Sequence, residues 1–259
     1  MIDKKWIQNT IMDIVSKNDF TAKINLVHEQ PIVIDVRDAC KTYQISSGGV
    51  EALKHISISV KRGEFVGIIG KSGAGKSTLV NMLSGVDTLT SGSVLVNSVS
   101  VHDLSENQRN AWRGRHVGIV YQSFELLNQL TVLDNVLLPM DFCGRFQQGK
   151  SREYALKLLS LVEIDEHALK YPTAVSGGQQ QRVAIARALA NDPEIIIADE
   201  PTGNLDSQTA NTIMALFQQL QHQGKTIVMV THNRNLFPYF SQIYQIADGE
   251  LTSWGKKGA

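Results

Sequence analysis

Hydrophobic and polar positions follow two rhythms along this chain. Short runs dominated by apolar residues, PIVIDVRDA, HISISV, EFVGIIG, GSVLVNSVSV and HVGIVYQ, come first, and EIIIADE, KTIVMVTH and IYQIADGEL follow much later. Each run predicts a strand. EFVGIIG and EIIIADE are almost continuously apolar, the pattern of strands covered on both faces, which implies a parallel sheet between layers of helices. The Asp248-Gly249 pair within IYQIADGEL predicts a tight turn that closes the sheet edge.

Between about residues 123 and 190 the rhythm turns helical. SREYALKLLSLVEI predicts a helix with Ser151 as its N-cap and Glu153–Lys157 as an i, i+4 pair. DSQTANTIMALFQQLQHQ lines up Ile213, Leu216, Phe217 and Leu220 on one face and stops at Gly224. At the N-terminus, Ile7, Ile11, Ile14 and Val15 share one face of a short amphipathic helix within residues 1–20. Its three lysines are balanced by three aspartates, unlike the basic face of a membrane-surface helix. The expected organisation is a helical extension over 1–30, then an α/β domain over 31–259 whose sheet is interrupted by a helical insertion at about 123–190.

Composition narrows the class without naming a substrate. The 259 residues suffice for a domain with a large core, and 42% apolar with 19% charged residues is ordinary for a globular chain. Lys+Arg and Asp+Glu both count 25, so net charge gives no reason to expect a nucleic-acid partner. The two cysteines, Cys40 and Cys143, point to a reducing cytoplasm rather than a disulfide framework. No apolar run approaches the ~20 residues that cross a bilayer.

The chemistry begins at GIIGKSGAGKSTLVNML, which contains G-x-x-x-x-G-K-S at Gly70, Gly75, Lys76 and Ser77. It follows a strand pattern and opens a helical one, the setting of a phosphate-binding P-loop. From Gly70 through Lys71, Ser72, Gly73, Ala74 and Gly75 to Thr78, backbone N–H groups can converge on phosphate oxygens at a helix N-terminus. Lys76 reaches the outer phosphates, and the Ser77 hydroxyl suits Mg²⁺. In EIIIADEPTGNLD the apolar run delivers Asp199 and Glu200 to a strand's C-terminal end, where open α/β sheets bind ligands. Asp199 suits the Mg²⁺ shell, and Glu200 is placed to orient or deprotonate an attacking water. Gln122 and His232 also end strand patterns and should emerge at the same edge, Gln122 as a carbonyl ligand to Mg²⁺ and His232 as a hydrogen-bond partner of the γ-phosphate. VSGGQQQR, at 175–182, puts a serine and two glycines at the start of a helical pattern, a second place where an anion could sit.

Taken in order, GKSGAGKST, Gln122, VSGGQ, IIIADE, GNLD and VTH resemble the ATPase subunit of ATP-binding cassette (ABC) transporters, over nearly the whole chain from about residue 32. The resemblance implies a P-loop NTPase core with a mostly parallel sheet, a small antiparallel β part and an inserted helical subdomain. It implies ATP and Mg²⁺ as cofactors and a head-to-tail dimer, of two copies of this chain or of this chain with a close paralogue. In that dimer Ser176, Gly177, Gly178 and Gln179 cap the γ-phosphate held by the other copy's P-loop. It further implies that Tyr43 stacks on adenine, that Asp206 lies where the two copies touch, and that FELLNQLTVLDNVLLPM borders the groove receiving a helix of an integral-membrane subunit. Val175 stands where leucine is commoner. ADEPTGNLDS, GVDTLTSGSV, HDLSENQRNAWRGRHVGIVYQSFELL and NVLLPM look like the branch serving lipoprotein release and macrolide or peptide export, with the chain peripheral at the cytoplasmic face of the membrane. A non-transporting, envelope-signalling or division-type ATPase is the alternative within the same resemblance. A small-molecule P-loop kinase would leave VSGGQQQR idle.

Overall fold

The computed structural model describes residues 30–46 and 48–256; the helix expected within residues 1–20 lies outside them. Two sheets organise the chain. The first is antiparallel and four-stranded, in the order β2-β1-β4-β5, built from β1 (Ile32–Ile45), β2 (Gly48–Lys61), β4 (Ser91–Val96) and β5 (Val99–Ser100). The second has the order β10-β9-β3-β8-β7-β6, from β3 (Phe65–Ile69), β6 (Val117–Val120), β7 (Ile195–Asp199), β8 (Thr226–Thr231), β9 (Gln242–Ala247) and β10 (Glu250–Lys256). All pairings in it are parallel except β9 with β10. That exception is the hairpin expected at Asp248-Gly249, and both residues take positive φ (50° and 81°), as a two-residue turn matched to strand twist requires.

The apolar strands behave as their sequences demand. Along β8, Ile227 and Met229 enter one core while Val228 and Val230 enter the other; along β7, Ile196 and Ala198 oppose Ile195 and Ile197. With a period of two and apolar residues at every position, both faces must be covered. One face carries α6 (Ser207–His222), which buries Ile213, Leu216, Phe217 and Leu220, together with Leu236 and Phe240 from the segment between β8 and β9. The other carries α1 (Lys76–Ser84) and the antiparallel sheet. Gly67 in β3 is required by close packing, because a Cβ there would lie 2.3 Å from the Phe240 ring.

Between β6 and β7 the chain forms three helices, α3 (Val132–Phe142), α4 (Lys150–Leu161) and α5 (Gly177–Ala188), packed on one another and on the first core. One detail departs from expectation. The N-cap of α4 is Gly149 (φ 79°); Ser151 lies inside the first turn and accepts from the Gln147 amide instead. The Glu153–Lys157 pair does form, at 2.8 Å. GSVLVNSVSV divides into β4 and β5 at Asn97-Ser98, whose φ values of 47° and 64° make a second hairpin turn. A further helix, α2 (Glu106–His116), precedes β6. No helix among the described residues is long and apolar enough to cross a membrane.

Candidate functional site

The C-terminal ends of β3, β7 and β8 lie side by side, so whatever follows them must share one edge. After β3 comes the glycine-rich loop, after β7 Glu200, after β8 His232, and two residues beyond β6 Gln122. These residues line one open cleft of about 580 Å³, which takes in Lys71, Ser72, Gly73, Gly75, Lys76, Ser77, Thr78, Gln122, Glu200 and His232. A neighbouring hollow of about 500 Å³ wraps the outer side of the same loop, with Gly70 and Ala74 on its wall. Gly75 enters α1 with φ 105°, and a Cβ there would lie 2.6 Å from the Ala52 carbonyl. Only glycine meets both conditions.

Lys76 is 7% exposed, and its ammonium makes two hydrogen bonds to backbone carbonyls and one ion pair. Nζ lies 3.0 Å from the Gly70 carbonyl, 3.0 Å from the Lys71 carbonyl and 3.4 Å from Glu200 Oε1. Glu200 is equally buried and stands in the left-handed region at φ 47°, a conformation a glutamate adopts only when its surroundings impose it. Its amide, bonded to the Val230 carbonyl at 3.0 Å, imposes it by continuing the β7–β8 ladder one residue past the strand. This twist separates two adjacent acids. Glu200 turns to Lys76 and to His232, whose Nδ1 is 2.9 Å from Oε1, while Asp199 turns to the Ser77 hydroxyl.

Asp199 is 9% exposed, and its Oδ1 is buried with no hydrogen-bond partner. Burial pushes its carboxyl up from the ordinary value, with Ser77 pulling the other way and Glu200 adding to the rise. An orphaned carboxylate oxygen beside a hydroxyl is a hard-oxygen donor set that fits Mg²⁺ better than any soft metal. Among the described residues no group of three or more His, Cys, Asp and Glu is placed to hold a metal ion.

Tyr43, on β1, stands outside the cleft lining but hydrogen-bonds to Thr78 at the end of the loop. Its hydroxyl donates to Asp87 Oδ2 at 2.9 Å. Lys41 Nζ donates to Asp87 Oδ1 at 2.9 Å and to the Thr88 carbonyl at 2.6 Å, and lies 4.7 Å from the centre of the Tyr43 ring. One ring face is therefore taken by an ammonium, and only the other can receive a base. Burial would raise the Asp87 carboxyl, but Lys41, the Thr88 amide and Tyr43 together hold it below its ordinary value. Nothing in the sequence ties residue 41 to residue 87; only folding does.

Ser176, Gly177, Gly178 and Gln179 lie apart, and none of them lines the cleft. They build the N-terminus of α5. Ser176 Oγ accepts from the Gln179 amide at 3.3 Å while Gln179 Oε1 accepts from the Ser176 amide at 2.8 Å, a reciprocal capping box. S-x-x-Q was the available signal. The cap fixes the corner and leaves the first amides, Gly177 and Gly178, pointing out along the helix axis. A Cβ on Gly178 would lie 2.7 Å from Thr209 Cγ2. Thr209 is itself held by Asp206, the N-cap of α6, which accepts from Thr209 Oγ1 at 2.6 Å and from the Thr209 amide at 3.0 Å. Asn204 Nδ2 donates to the Gln122 carbonyl at 3.2 Å, another contact the motifs did not foretell.

Comparison with known proteins identifies the family. The family profile described as "ABC transporter" matches residues 53–203. The chain is 39% identical over 221 residues to the lipoprotein-releasing system ATP-binding protein LolD of Francisella tularensis subsp. tularensis, covering 85% of this chain and 96% of that one. It is 42% identical over 225 residues to the macrolide export ATP-binding/permease protein MacB of Chlorobium phaeobacteroides, covering 87% of this chain but 34% of that longer one. The ATP-binding cassette MJ0796 of Methanocaldococcus jannaschii, solved as a dimer in a post-hydrolysis state with ADP and Pi, superposes with a TM-score of 0.82 at 41% identity, covering 87% of this chain and 100% of that one.

Proposed function

This chain belongs to the ABC transporter family and is an ATPase, and from that premise we propose that two copies close head to tail around two molecules of Mg·ATP to drive an integral-membrane partner in export or lipoprotein release. The observation that carries this reading is the separation of Ser176–Gln179 from the cleft that holds Lys76, Glu200 and His232. The corner is fully built and capped, and among the described residues its first-turn amides lie outside the cleft of their own subunit. A second copy presenting it supplies the missing wall.

In this reading the loop amides and Lys76 take the phosphates, Lys76 exchanging its contact with Glu200 for the ligand. Ser77, Asp199 and Gln122 are the residues that would hold Mg²⁺, which when bound neutralises charge on the phosphates. Glu200, released from Lys76, orients a water for attack on the γ-phosphorus and accepts its proton. His232 steadies Glu200 through Nδ1 and faces the γ-phosphate with the rest of its ring. From the second copy, the Ser176 hydroxyl and the Gly177 and Gly178 amides stabilise charge on the equatorial oxygens. Tyr43 offers its free face to adenine. Loss of the bridging phosphate lets the dimer open.

The membrane partner is assigned to the groove of about 450 Å³ bounded by Tyr121, Pro139, Phe142 and Arg187. Phe142 stands 80% exposed at its rim, whereas Val132, Leu133, Val136 and Met140 of the preceding run are core. The apolar sequence 124–140 is thus mostly internal packing, with its docking contribution concentrated at the C-terminal end of α3. Attachment through such a partner makes the chain peripheral at the cytoplasmic face. A purely signalling role is not favoured, since LolD and MacB are named for release and export.

Complementation tests the dimer. A Lys76→Ala subunit and a Ser176→Arg subunit should each be inactive alone. Mixed, they form one composite site from the intact loop of one and the intact corner of the other, and turnover should reappear at up to a quarter to a half of wild type. No recovery on mixing, with both variants folded, would overturn the trans arrangement.

A further inference from the structure

Past Gln122 the backbone does something unusual. Phe124 and Glu125 both lie in the left-handed region, each at φ 52°, and neither is glycine. The Glu125 amide folds back on the Ser123 carbonyl, so the loop reverses within three residues. Two consecutive left-handed side-chain-bearing residues persist only when something outside the loop holds them. Here it is one guanidinium: Arg187 Nη2 donates to the Phe124 carbonyl at 2.7 Å, and Nη1 donates to the Glu125 carbonyl. No carboxylate pairs with Arg187 among the described ion pairs, and burial lowers its pKa from the usual arginine value. One donor on each terminal nitrogen goes to those two carbonyls.

Arg187 belongs to the last turn of α5, and the first turn of α5 is the Ser176–Gly178 corner. The Phe124 ring also lies in the neighbourhood of that end: a Cβ added at Gly177, which has none, would sit 3.8 Å from Cζ. The segment carrying Gln122 is thus clamped to the C-terminal turn of α5 by a two-pronged arginine, and the helix carries that attachment to the corner at its other end. Arg187 also borders the groove assigned to the membrane partner.

We infer that Arg187 is a positioning residue that locks the Gln122 loop to α5, so that γ-phosphate contact in one site sets the corner offered to the other site. This rests on the dimer reading above. Its consequence is cooperativity: ATP felt by Gln122 in one half is transmitted through Phe124, Glu125 and Arg187 to the corner that caps the other half. Lysine at 187 keeps the charge but cannot donate in a fork. Glycine at 125 takes the left-handed conformation without penalty and needs no clamp there.

The experiment compares wild type, R187K, R187K/E125G and Q122A in the full chain, measuring ATP binding, turnover against ATP concentration, and thermal unfolding. R187K should bind ATP within about twofold of wild type, lose roughly tenfold or more in kcat, and show a Hill coefficient falling towards 1. R187K/E125G should recover much of the kcat, which a merely structural defect would not. If R187K unfolds early, E125G in the same background decides: recovery of stability without kcat or cooperativity overturns the inference. Wild-type kcat and Hill coefficient in a folded R187K also overturn it. Q122A separates the two levels: unchanged turnover there defeats the reading of the site itself, whereas loss in Q122A with none in R187K defeats only the latch.

Discussion

Glu200 and His232 face each other across 2.9 Å, Oε1 to Nδ1. A carboxylate in its ionised form only accepts, so in that form the hydrogen between the two groups is carried by His232 Nδ1. The His232 amide reaches Glu200 Oε2 at 3.3 Å, so residue 232 holds both carboxylate oxygens. The acid is thereby kept in one orientation before substrate arrives, and this shapes the first prediction.

Glu200→Gln keeps the size and loses the base. ATP binding should be retained, phosphate release should fall by roughly 10²–10⁴-fold, and the ATP-bound dimer should accumulate. Phosphate release assays with size-exclusion chromatography measure both. Wild-type turnover would remove Glu200 from the reaction.

Asp199 opposes function to stability. Its carboxyl has a pKa in the fold above that in the unfolded chain, so the fold binds the proton more tightly. The penalty is therefore present above the folded pKa and disappears as pH falls below the ordinary aspartate value. Asp199→Asn should stabilise the nucleotide-free chain at neutral pH by about 1 kcal/mol, with the gain shrinking in acid, while abolishing the extra stabilisation that Mg²⁺ gives in the presence of ATP. Thermal melts at several pH values, with and without Mg·ATP, check both arms.

Tyr43 has one face against Lys41 and its hydroxyl on Asp87. Tyr43→Phe should keep most nucleotide affinity, since the stacking face remains. Tyr43→Ala should weaken binding by about 0.5–1.5 kcal/mol, up to roughly tenfold in Kd. Equal losses in both variants would assign the role to the hydroxyl rather than the ring.

Gly178 and Thr209 test the corner by size alone. A methyl on Gly178 meets Thr209 Cγ2 at 2.7 Å, an overpacking that costs about 1–3 kcal/mol. Gly178→Ala should depress turnover more than ATP binding. Adding Thr209→Ser removes the obstructing methyl, keeps the hydroxyl bonded to Asp206, and should restore activity. Persistent loss in the double variant would mean that the added carbon obstructs the ligand itself.

Sequence legibility followed burial and proximity. Runs such as EIIIADE were readable because a strand covered on both faces leaves no polar position to confuse the rhythm, and glycines at 70 and 75 announce themselves by position. β1 and β2 each extend well beyond PIVIDVRDA and HISISV, because register shifts after Val36 and Ala39, with Asp38 at φ 49°, break the two-residue alternation. α2 escaped because Trp112 is its only buried residue, leaving no apolar period to detect; its Ser105–Gln108 capping box was the available sign. In the site, single residues at strand ends were placed by topology, but Lys41–Asp87, Asn204–Gln122 and Arg187–Phe124 join distant segments through side chains that carry no local pattern.

The reciprocal cap at Ser176 has a practical consequence for reading mutants. One lone pair of that hydroxyl starts a helix, while its hydrogen remains for the ligand. Alanine there therefore frays the helix and deletes a phosphate donor together, and cannot tell the two apart. Aspartate and asparagine would start the helix equally well, yet the first repels a phosphate and the second is bulkier. Position 176 thus has little freedom beyond the two hydroxyl residues, and aspartate, which keeps the cap and loses the donor, is the substitution that divides its two duties.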